Sequence, residues 1–383
     1  MPRLGLREWF AVGRVIAHGD LLRTSSSLRL CQKFERGLAR RLGARHTLAV
    51  NNGTAALITA LQACRIGPGD EVLVSAYTWM ASAAAVLHVG AVPVLVEIDQ
   101  TLTMDIDDLA AKITPRARAI IPVHMNNRPC DMDRLLDIAA KHDLRVIEDA
   151  CQAIGVRYKG RACGTIGDAG TFSFNQMKNM TCGEGGAVLT SDDLIYERAY
   201  CAHDMGVNFR KFAPHRTDQE FVGGNFRISE IEGAILNVQL SKLPGRMRAM
   251  RRRVAAMEPI LKKAGLPIAP HNNPGEACSI VVTFDTEAEA IEFAENIGVR
   301  RLFDNSKHVF TKWTAILDGR MAHPRFDPWA WAEDVSPPSA DECPRTLDLL
   351  SRSCAISPIL QLPHPAAIVL AHRLAKRVPE RKS

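Results

Sequence analysis

The sequence predicts a three-layer α/β protein, with helices on both faces of a mostly parallel central sheet and a smaller α/β domain towards the C-terminal end. Two observations predict it. From about residue 47, short apolar runs alternate with helical stretches. The apolar runs carry Val, Ile and Leu at nearly every position, which is typical of strands that are buried on both faces. Buried strands that alternate with helices form parallel sheets.

The predicted elements follow one another in strand–helix order. "HTLAV" leads into the helical "NNGTAALITALQA", and "DEVLVSA" leads into "YTWMASAAAVLHVG". "VPVLVEI" and "ARAIIPVHM" are the next strands, the helical "DMDRLLDIAAKH" precedes the strand "LRVIED", and "AGTFSF" ends near Lys178. Because ligands of such sheets bind at the carboxyl ends of the strands, the residues that follow each run are candidates for a site.

A long helix is expected to join two domains. From Ser229, apolar residues recur every three or four positions in "SEIEGAILNVQLSKL", and the helix continues into the basic "PGRMRAMRRRVAAMEPILKKAG". Beyond it, "CSIVVTFDT" predicts a strand and "EAEAIEFAENIG" a helix, before a Pro- and Trp-rich stretch that we expect to be irregular. We expect a large domain over residues 1–245, including an N-terminal arm, and a small domain over residues 246–383.

Composition narrows the class of protein. The 383 residues are 46% hydrophobic and 23% charged, as in an ordinary soluble globular protein. No long apolar run predicts a membrane helix, and charges stand in the N-terminal segment where a signal peptide would be apolar. The 10 cysteines are irregularly spaced without a zinc pattern, so we expect free thiols, no metal and a cytoplasmic location. The net charge of +6 is mild and accompanies no nucleic-acid-binding motif, so no nucleic-acid or membrane partner is expected.

The first candidate residues follow the strand "HTLAV". Gly53 would let the backbone approach a ligand closely, and Thr54 and Ala55 open a helix whose N–H groups suit a phosphate. The same segment could also be only a turn and a helix cap. It matches neither the dinucleotide-binding nor the P-loop glycine pattern, which disfavours those two classes of protein.

Further candidates follow other strands. Trp79 lies at a strand-to-helix turn, where it could stack on a planar ring or pack in the core. Asp149 ends the strand "LRVIED" and Gln152 follows it; Asp149 could be a buried, paired carboxylate, a helix cap or a surface acid. Ser173 lies in "AGTFSF", and Lys178 stands between this strand and a Gly-rich segment.

Together these residues match the requirements of pyridoxal 5'-phosphate. A helix N-terminus would bind its phosphate, an aromatic side chain would stack on its ring, and a carboxylate would keep its pyridine nitrogen protonated. Lys178 would form a Schiff base with its aldehyde. The sequence therefore predicts this cofactor, with Lys178 and Asp149 as the catalytic residues.

Longer motifs surround these candidates: "FERGLARRLGARHTLAVNNGTAAL", "GPGDEVLVSAYTW", "VIEDACQAIG", "TFSFNQMKN" with "GEGGAV", and "GGNFRISEIEGAI". Through them, residues 30 to 245 resemble the DegT/DnrJ/EryC1/StrS family of pyridoxal-phosphate-dependent aminotransferases, of fold type I. The resemblance implies that Lys178 is the Schiff-base lysine and proton shuttle, and that Asp149 pairs with the pyridine nitrogen. It also implies that Trp79 stacks on the ring and that Gln152 lies beside the phenolic oxygen.

The resemblance further implies how the phosphate is held. Gly53, Thr54 and Ser173 would bind it from their own chain. Asn225, in "GGNFR", would reach it from the neighbouring subunit, which implies an active homodimer.

Two segments depart from the family pattern. Asn126, Asn127 and Arg128 stand where the family usually has a Gly-containing turn, and they are expected to alter the substrate pocket. Residues 175–177 are Asn-Gln-Met, where the commoner turn of the family contains His and Pro. The nearby segments "FSF" and "PVHM" are similar to those of family members that make 3-amino-5-hydroxybenzoate.

The resemblance implies an aminotransferase that moves an amino group from glutamate or glutamine to a keto-sugar, keto-cyclitol or related ketone, in secondary-metabolite or sugar biosynthesis. One alternative is an enzyme of the same family that performs elimination or replacement instead. Another is a regulatory protein without activity, which would be expected to lose Lys178 or Asp149. The dehydratase branch of the family has His in place of this lysine, so the presence of Lys178 argues against a dehydratase. A nicotinamide-dependent oxidoreductase would need a glycine fingerprint that is missing from this sequence.

Overall fold

The computed structural model describes residues 4–207, 214, 217–305, 307–333, 335–356 and 362–377. In chain order its strands are β1 (His46–Val50), β2 (Glu71–Ser75), β3 (Val92–Val96), β4 (Ala117–Ile121), β5 (Arg145–Asp149), β6 (Arg157–Tyr158), β7 (Arg161–Ala162), β8 (Ala169–Ser173), β9 (Gly186–Thr190), β10 (Ile280–Thr283), β11 (Arg300–Arg301) and β12 (Ser353–Ile356).

The helices are α1 (Leu6–His18), α2 (Leu30–Leu42), α3 (Gly53–Ala63), α4 (Ala81–His88), α5 (Ile106–Ala111), α6 (Met132–Lys141), α7 (Asp193–His203), α8 (Glu230–Lys263), α9 (Glu287–Ile297), α10 (Thr314–Leu317), α11 (Pro328–Trp331), α12 (Pro344–Ser351) and α13 (His364–Ala375). Short 3₁₀ turns lie at Met125–Asn127, Pro274–Glu276 and Phe310–Lys312. None of the helices in the described ranges is both long and apolar enough to cross a membrane.

Seven strands form the central sheet, in the order β1–β9–β8–β5–β4–β2–β3. Every neighbouring pair is parallel except the two that involve β9, which runs antiparallel to β1 and β8. The prediction of a mostly parallel sheet is therefore confirmed. Since β1 and β8 both pair with β9, their last residues meet: Val50 and Ser173 each lie opposite Gly186.

Helices cover both faces of this sheet, as predicted. Successive strand residues enter different cores, because side chains alternate between the two faces of a strand. Leu73 and Val146 belong to the core on one face, whereas Val74 and Ile147 belong to the core on the other. The first core also contains side chains of α2 and α8, and the second contains those of α3 and α7.

The long helix predicted to begin near Ser229 is present as α8. Ser229 caps it in a capping box with Glu232, whose carboxylate accepts the Ser229 backbone N–H at 3.1 Å. The second half of α8 packs with β10, β12, α9 and α13 in a separate core, which forms the smaller α/β unit. The predicted boundary at residue 245 lies inside α8, and the division into two domains there stays a prediction.

The Pro- and Trp-rich stretch is more ordered than predicted. It contains the short helices α10 and α11, and its tryptophans Trp313 and Trp329 are buried. They pack on α4 and on β3 of the large sheet. The local composition indicated irregular structure, but burial of large aromatic side chains fixes the stretch against the sheet edge.

Candidate active site

The N-terminus of α3 lies directly on the end of β8. A Cβ atom at Gly53 would be 2.8 Å from Cβ of Ser173 and 3.2 Å from Sγ of Cys151, so only glycine fits at this position. Asn52 caps α3, and its Oδ1 accepts the backbone N–H of Ala55 at 2.8 Å. The segment is thus both a helix cap and a close approach of backbone to the strand end, where Thr54 is half-buried.

Asp149 is a buried, hydrogen-bonded carboxylate at the end of β5. It is 5% exposed, so it is not a surface acid. Ser82 donates its hydroxyl to Oδ2 at 2.7 Å, and the backbone N–H of Cys151 donates to Oδ1 at 3.1 Å. The Ser82 hydroxyl also lies 2.7 Å from Oγ1 of Thr78. Sequence reasoning identified Asp149 but missed Ser82 and Thr78, since nothing in a short apolar helix marks one serine as a partner.

The neighbouring acid, Glu148, has a different role. Its side chain is buried and forms an ion pair with His124 at 2.8 Å. It also accepts the backbone N–H groups of Gly164 at 2.7 Å and Gly167 at 2.8 Å. Because consecutive strand residues point to opposite faces, Glu148 fixes the loop before β8 while Asp149 faces the site.

Lys178 lies half-buried in a turn that follows β8. Its backbone N–H donates to the carbonyl of Asn175 at 2.9 Å. The side chain of Asn175 donates to Glu184 at 2.7 Å, and that of Asn179 donates to the Asn127 side chain at 2.5 Å. The turn is therefore fastened on both sides of the lysine, which explains why polar residues surround it in the sequence.

The Lys178 ammonium is electrostatically coupled to the loop after β5. Burial raises the pKa of the Cys151 thiol, and the Asp149 carboxylate adds to this effect, while the Lys178 ammonium acts in the opposite direction. Cys151 thus lies within range of both charges. In the sheet, Asp149 lies opposite Thr171 on β8, and β8 leads into the Lys178 turn, so the predicted carboxylate and the predicted lysine come from neighbouring strands.

Trp79 lies in the turn between β2 and α4, and its ring is partly exposed. Its side chain is 40% exposed, which excludes a core position. His308 lies edge-on to its ring with the centroids 5.5 Å apart, and the Lys307 ammonium lies 5.3 Å from the ring centroid. Gln152 approaches the same imidazole, with 3.4 Å between the two Nε2 atoms. Sequence reasoning missed His308 and Lys307, which come from a stretch far along the chain.

The departure at residues 126–128 forms a tight turn beside Gln152. Asn126 and Asn127 adopt positive φ angles of 51° and 61°, which asparagine tolerates better than most residues. The backbone N–H of Asn126 donates to Oε1 of Gln152 at 3.1 Å, and its side chain donates to the hydroxyl of Tyr77 at 2.9 Å.

Arg128 points away from this turn towards the smaller unit. Its buried guanidinium donates to the backbone carbonyl of Thr101 at 2.9 Å and to that of Pro270. Burial lowers its pKa to about 10. The contacts give Arg128 a structural role in joining two parts of the chain.

Asn225 lies in an exposed position. Its backbone pairs with Asp204, and its side-chain oxygen accepts the N–H of Arg227 at 3.5 Å. Ser229 caps α8, so Asn225 does not serve as the cap of the helix that follows it. Arg227 pairs in turn with Val50, which places this segment alongside the end of β1.

Among the residues that the structure describes, no group of three or more His, Cys, Asp or Glu side chains could hold a metal ion.

Sequence comparisons connect this site with known proteins. The chain is 42% identical over 244 residues to GDP-perosamine synthase of Caulobacter vibrioides, a match that covers 63% of this chain and 64% of the relative. It is 40% identical over 258 residues to L-glutamine:2-deoxy-scyllo-inosose aminotransferase of Streptomyces kanamyceticus, covering 64% and 60% of the two chains. These matches span less than two thirds of the relatives' lengths.

Structural comparisons extend over nearly the whole chain. 3-Amino-5-hydroxybenzoic acid synthase is similar with a TM-score of 0.79 and 28% identity, over 98% of this chain and 97% of that one. DesV of S. venezuelae is similar with a TM-score of 0.75 and 31% identity, over 97% and 95%. The profile of the DegT/DnrJ/EryC1/StrS aminotransferase family matches residues 17–301. The chain belongs to this family.

Proposed function

We propose that the protein is a pyridoxal-phosphate-dependent aminotransferase. It would move an amino group from glutamate or glutamine to a keto-sugar, keto-cyclitol or related ketone, in sugar or secondary-metabolite biosynthesis. The names of its relatives, a GDP-perosamine synthase and a glutamine:inosose aminotransferase, support these substrate classes. The observation that carries the proposal is the buried carboxylate of Asp149 on β5, next to the strand that leads into the Lys178 turn.

The residues present fit pyridoxal phosphate. A buried carboxylate is costly unless it is paired, and Asp149 accepts two hydrogen bonds here with a cationic ring nitrogen as a suitable further partner. Gly53 lets the N-terminus of α3 lie against Ser173, where N–H groups and a hydroxyl are suited to a phosphate. The exposed ring of Trp79 offers a flat apolar surface.

When bound, the cofactor supplies an electron sink for a carbanion at the substrate carbon. The protein's own groups do the rest. Lys178 would hold the cofactor's aldehyde and then move a proton as a general base. Asp149 would keep a proton on the pyridine nitrogen, and Ser82 would hold Asp149 in position. Thr54, like Gly53 and Ser173, would bind the phosphate.

We also propose that the active form is a homodimer, with Asn225 reaching the partner's phosphate. Two exposed apolar side chains are near predicted site residues in the chain: Met177 precedes Lys178 and is 74% exposed, and Val222, three residues before Asn225, is 93% exposed. A second chain that packed on these segments would cover both side chains. A cytoplasmic location is supported by the 10 cysteines, all of which are free.

Absorption spectroscopy tests the proposed activity. The purified protein with pyridoxal phosphate should show the long-wavelength band of the lysine-bound cofactor, and glutamate or glutamine alone should remove it stoichiometrically. Addition of a suitable keto-sugar or keto-cyclitol should then restore the band. An enzyme of elimination or replacement would instead release product without consuming the band, and that outcome would overturn the proposal.

A further inference from the structure

Residues 307–310 lie beside Trp79 and Gln152, and they follow the last residue, 301, that matches the family profile. The backbone N–H of Met80 donates to the carbonyl of Lys307 at 3.2 Å, and Val309 forms an antiparallel bridge with Tyr77. The segment is thus fixed to the loop that carries Trp79. Its central side chain, His308, is partly buried against that ring.

The hydrogen bonds around His308 determine its tautomer. Gln152 uses Oε1 to accept the backbone N–H of Asn126, so its Nε2 group faces His308 and donates. The imidazole Nε2 must then be the acceptor, and the proton lies on Nδ1. The structure places Nδ2 of the Asn305 side chain 2.6 Å from Nδ1, so this tautomer requires the Asn305 amide to be turned by 180°, with its oxygen facing the ring as acceptor.

The surroundings also keep the ring neutral. Burial lowers the pKa of His308 to about 4, and the positive charges of Lys178, Arg300 and Lys307 act in the same direction. A neutral ring with its lone pair on Nε2 is what the contact with Gln152 needs. The chain Asn305–His308–Gln152–Asn126 therefore links two distant segments through neutral groups.

We propose that His308 is a positioning residue that holds the side-chain amide of Gln152. This inference rests on the proposed function and on the position that the family resemblance implies for Gln152, beside the phenolic oxygen of the cofactor. One N–H of the Gln152 amide is taken by His308, and the other remains available for that oxygen. Donation to the phenolic oxygen stabilises its negative form, so loss of the orientation raises the pKa of the bound cofactor.

The test is a pH titration of the cofactor's absorption band in the holoenzyme. His308→Leu removes the acceptor and should raise the midpoint by about 0.5–1 pH unit, the effect of one hydrogen bond. His308→Gln restores an acceptor, so its midpoint should lie close to that of the wild-type protein. Asn305→Leu, which leaves the imidazole in place, should move the midpoint in the same direction by less. His323→Leu, at an exposed histidine of the same region, should leave it unchanged.

A double-mutant cycle separates positioning from a general structural effect. If His308 acts through Gln152, then Gln152→Leu with His308→Leu should titrate like Gln152→Leu alone. Additive shifts, or an unchanged midpoint in both His308→Leu and Asn305→Leu, would overturn the inference. A wild-type protein that forms no cofactor band would overturn the proposed function itself, which distinguishes the two failures.

Discussion

Ser82 Oγ lies 2.7 Å from Asp149 Oδ2, and this contact joins the first turn of α4 to the end of β5. Both residues are buried, and Thr78 approaches the same hydroxyl at 2.7 Å. Two hydroxyl groups therefore stand behind the carboxylate that would hold the pyridine nitrogen. In the proposed function, Asp149 would owe its orientation to two residues that would not contact the cofactor.

Ser82→Ala should reduce turnover while leaving the fold intact. A hydrogen bond to a charged group contributes about 1.5–3 kcal/mol, so kcat/KM should fall by about tenfold to a hundredfold. Thr78→Ala removes a group that reaches Asp149 only through Ser82, and its loss should be smaller. Steady-state kinetics of both variants, alongside thermal unfolding, provide the measurement. Equal losses in the two variants would contradict this order.

Lys178→Ala should abolish covalent attachment of the cofactor and turnover, but not folding. Borohydride reduction of the wild-type holoenzyme, followed by peptide mass spectrometry, should locate the cofactor on Lys178. Lys307 is the matched control, because its ammonium lies 5.3 Å from the Trp79 ring, beside the same site. Lys307→Ala should still be labelled at Lys178. A label on Lys307 in the wild-type protein would show that the assignment is wrong.

Asp149→Asn should affect turnover far more than cofactor occupancy. The amide keeps the size of the side chain but removes the negative charge, so the pyridine nitrogen loses its proton and the ring becomes a weaker electron sink. Stopped-flow measurement of the half-reaction with glutamate should show a large decrease in rate at nearly full occupancy. A half-reaction at the wild-type rate would rule out this role for Asp149.

The sequence predicts the sheet and its functional edge because both depend on local patterns. Strands buried on both faces need continuous apolar runs, and the residues just after them mark the strand ends, which is how Gly53, Asp149 and Lys178 can be identified. Ser82 and His308 cannot be found in this way. Each lies in a segment of ordinary composition, and only the packing of distant segments brings it to the site.

Trp79 is a second case in which the sequence pattern does not determine where a side chain lies. Its position in a turn after β2 is compatible with both a core residue and a ring-stacking residue. Its 40% exposure removes the first interpretation. The buried aromatic of that loop is Tyr77, two residues earlier, which the same pattern could not distinguish. Side-chain direction in a turn depends on tertiary contacts rather than on periodicity.

Gly53→Ala should destabilise the protein and weaken cofactor binding together. The new Cβ would lie 2.8 Å from Cβ of Ser173, and overpacking of this kind costs about 1–3 kcal/mol. Gly245→Ala is the control: a Cβ atom at this helical glycine would meet nothing within 4 Å beyond its own helix backbone, and alanine there should stabilise by up to about 1 kcal/mol. Urea unfolding and cofactor titration should be compared for both variants. A stable Gly53→Ala protein with normal affinity for the cofactor would show that the approach of α3 to Ser173 does not require glycine at position 53.

Asn225→Ala tests whether each site is completed by a second chain. Asn225 is exposed and does not cap α8, so removing its side chain should change the free energy of unfolding of one chain very little. If it reaches the partner's phosphate, cofactor binding and dimerisation are linked, because a ligand that binds only the assembled form stabilises that form by mass action. The variant should then need more pyridoxal phosphate to remain dimeric at low protein concentration.

Sedimentation velocity over a dilution series, with and without the cofactor, measures this linkage. The wild-type protein should sediment as a dimer, and the cofactor should shift its dissociation to lower protein concentration. Val222→Ser, at an exposed apolar residue of the same segment, should weaken the dimer without changing cofactor affinity in the assembled form. A fully active wild-type monomer, or an Asn225→Ala dimer with unchanged cofactor affinity, would show that each chain builds its phosphate site alone.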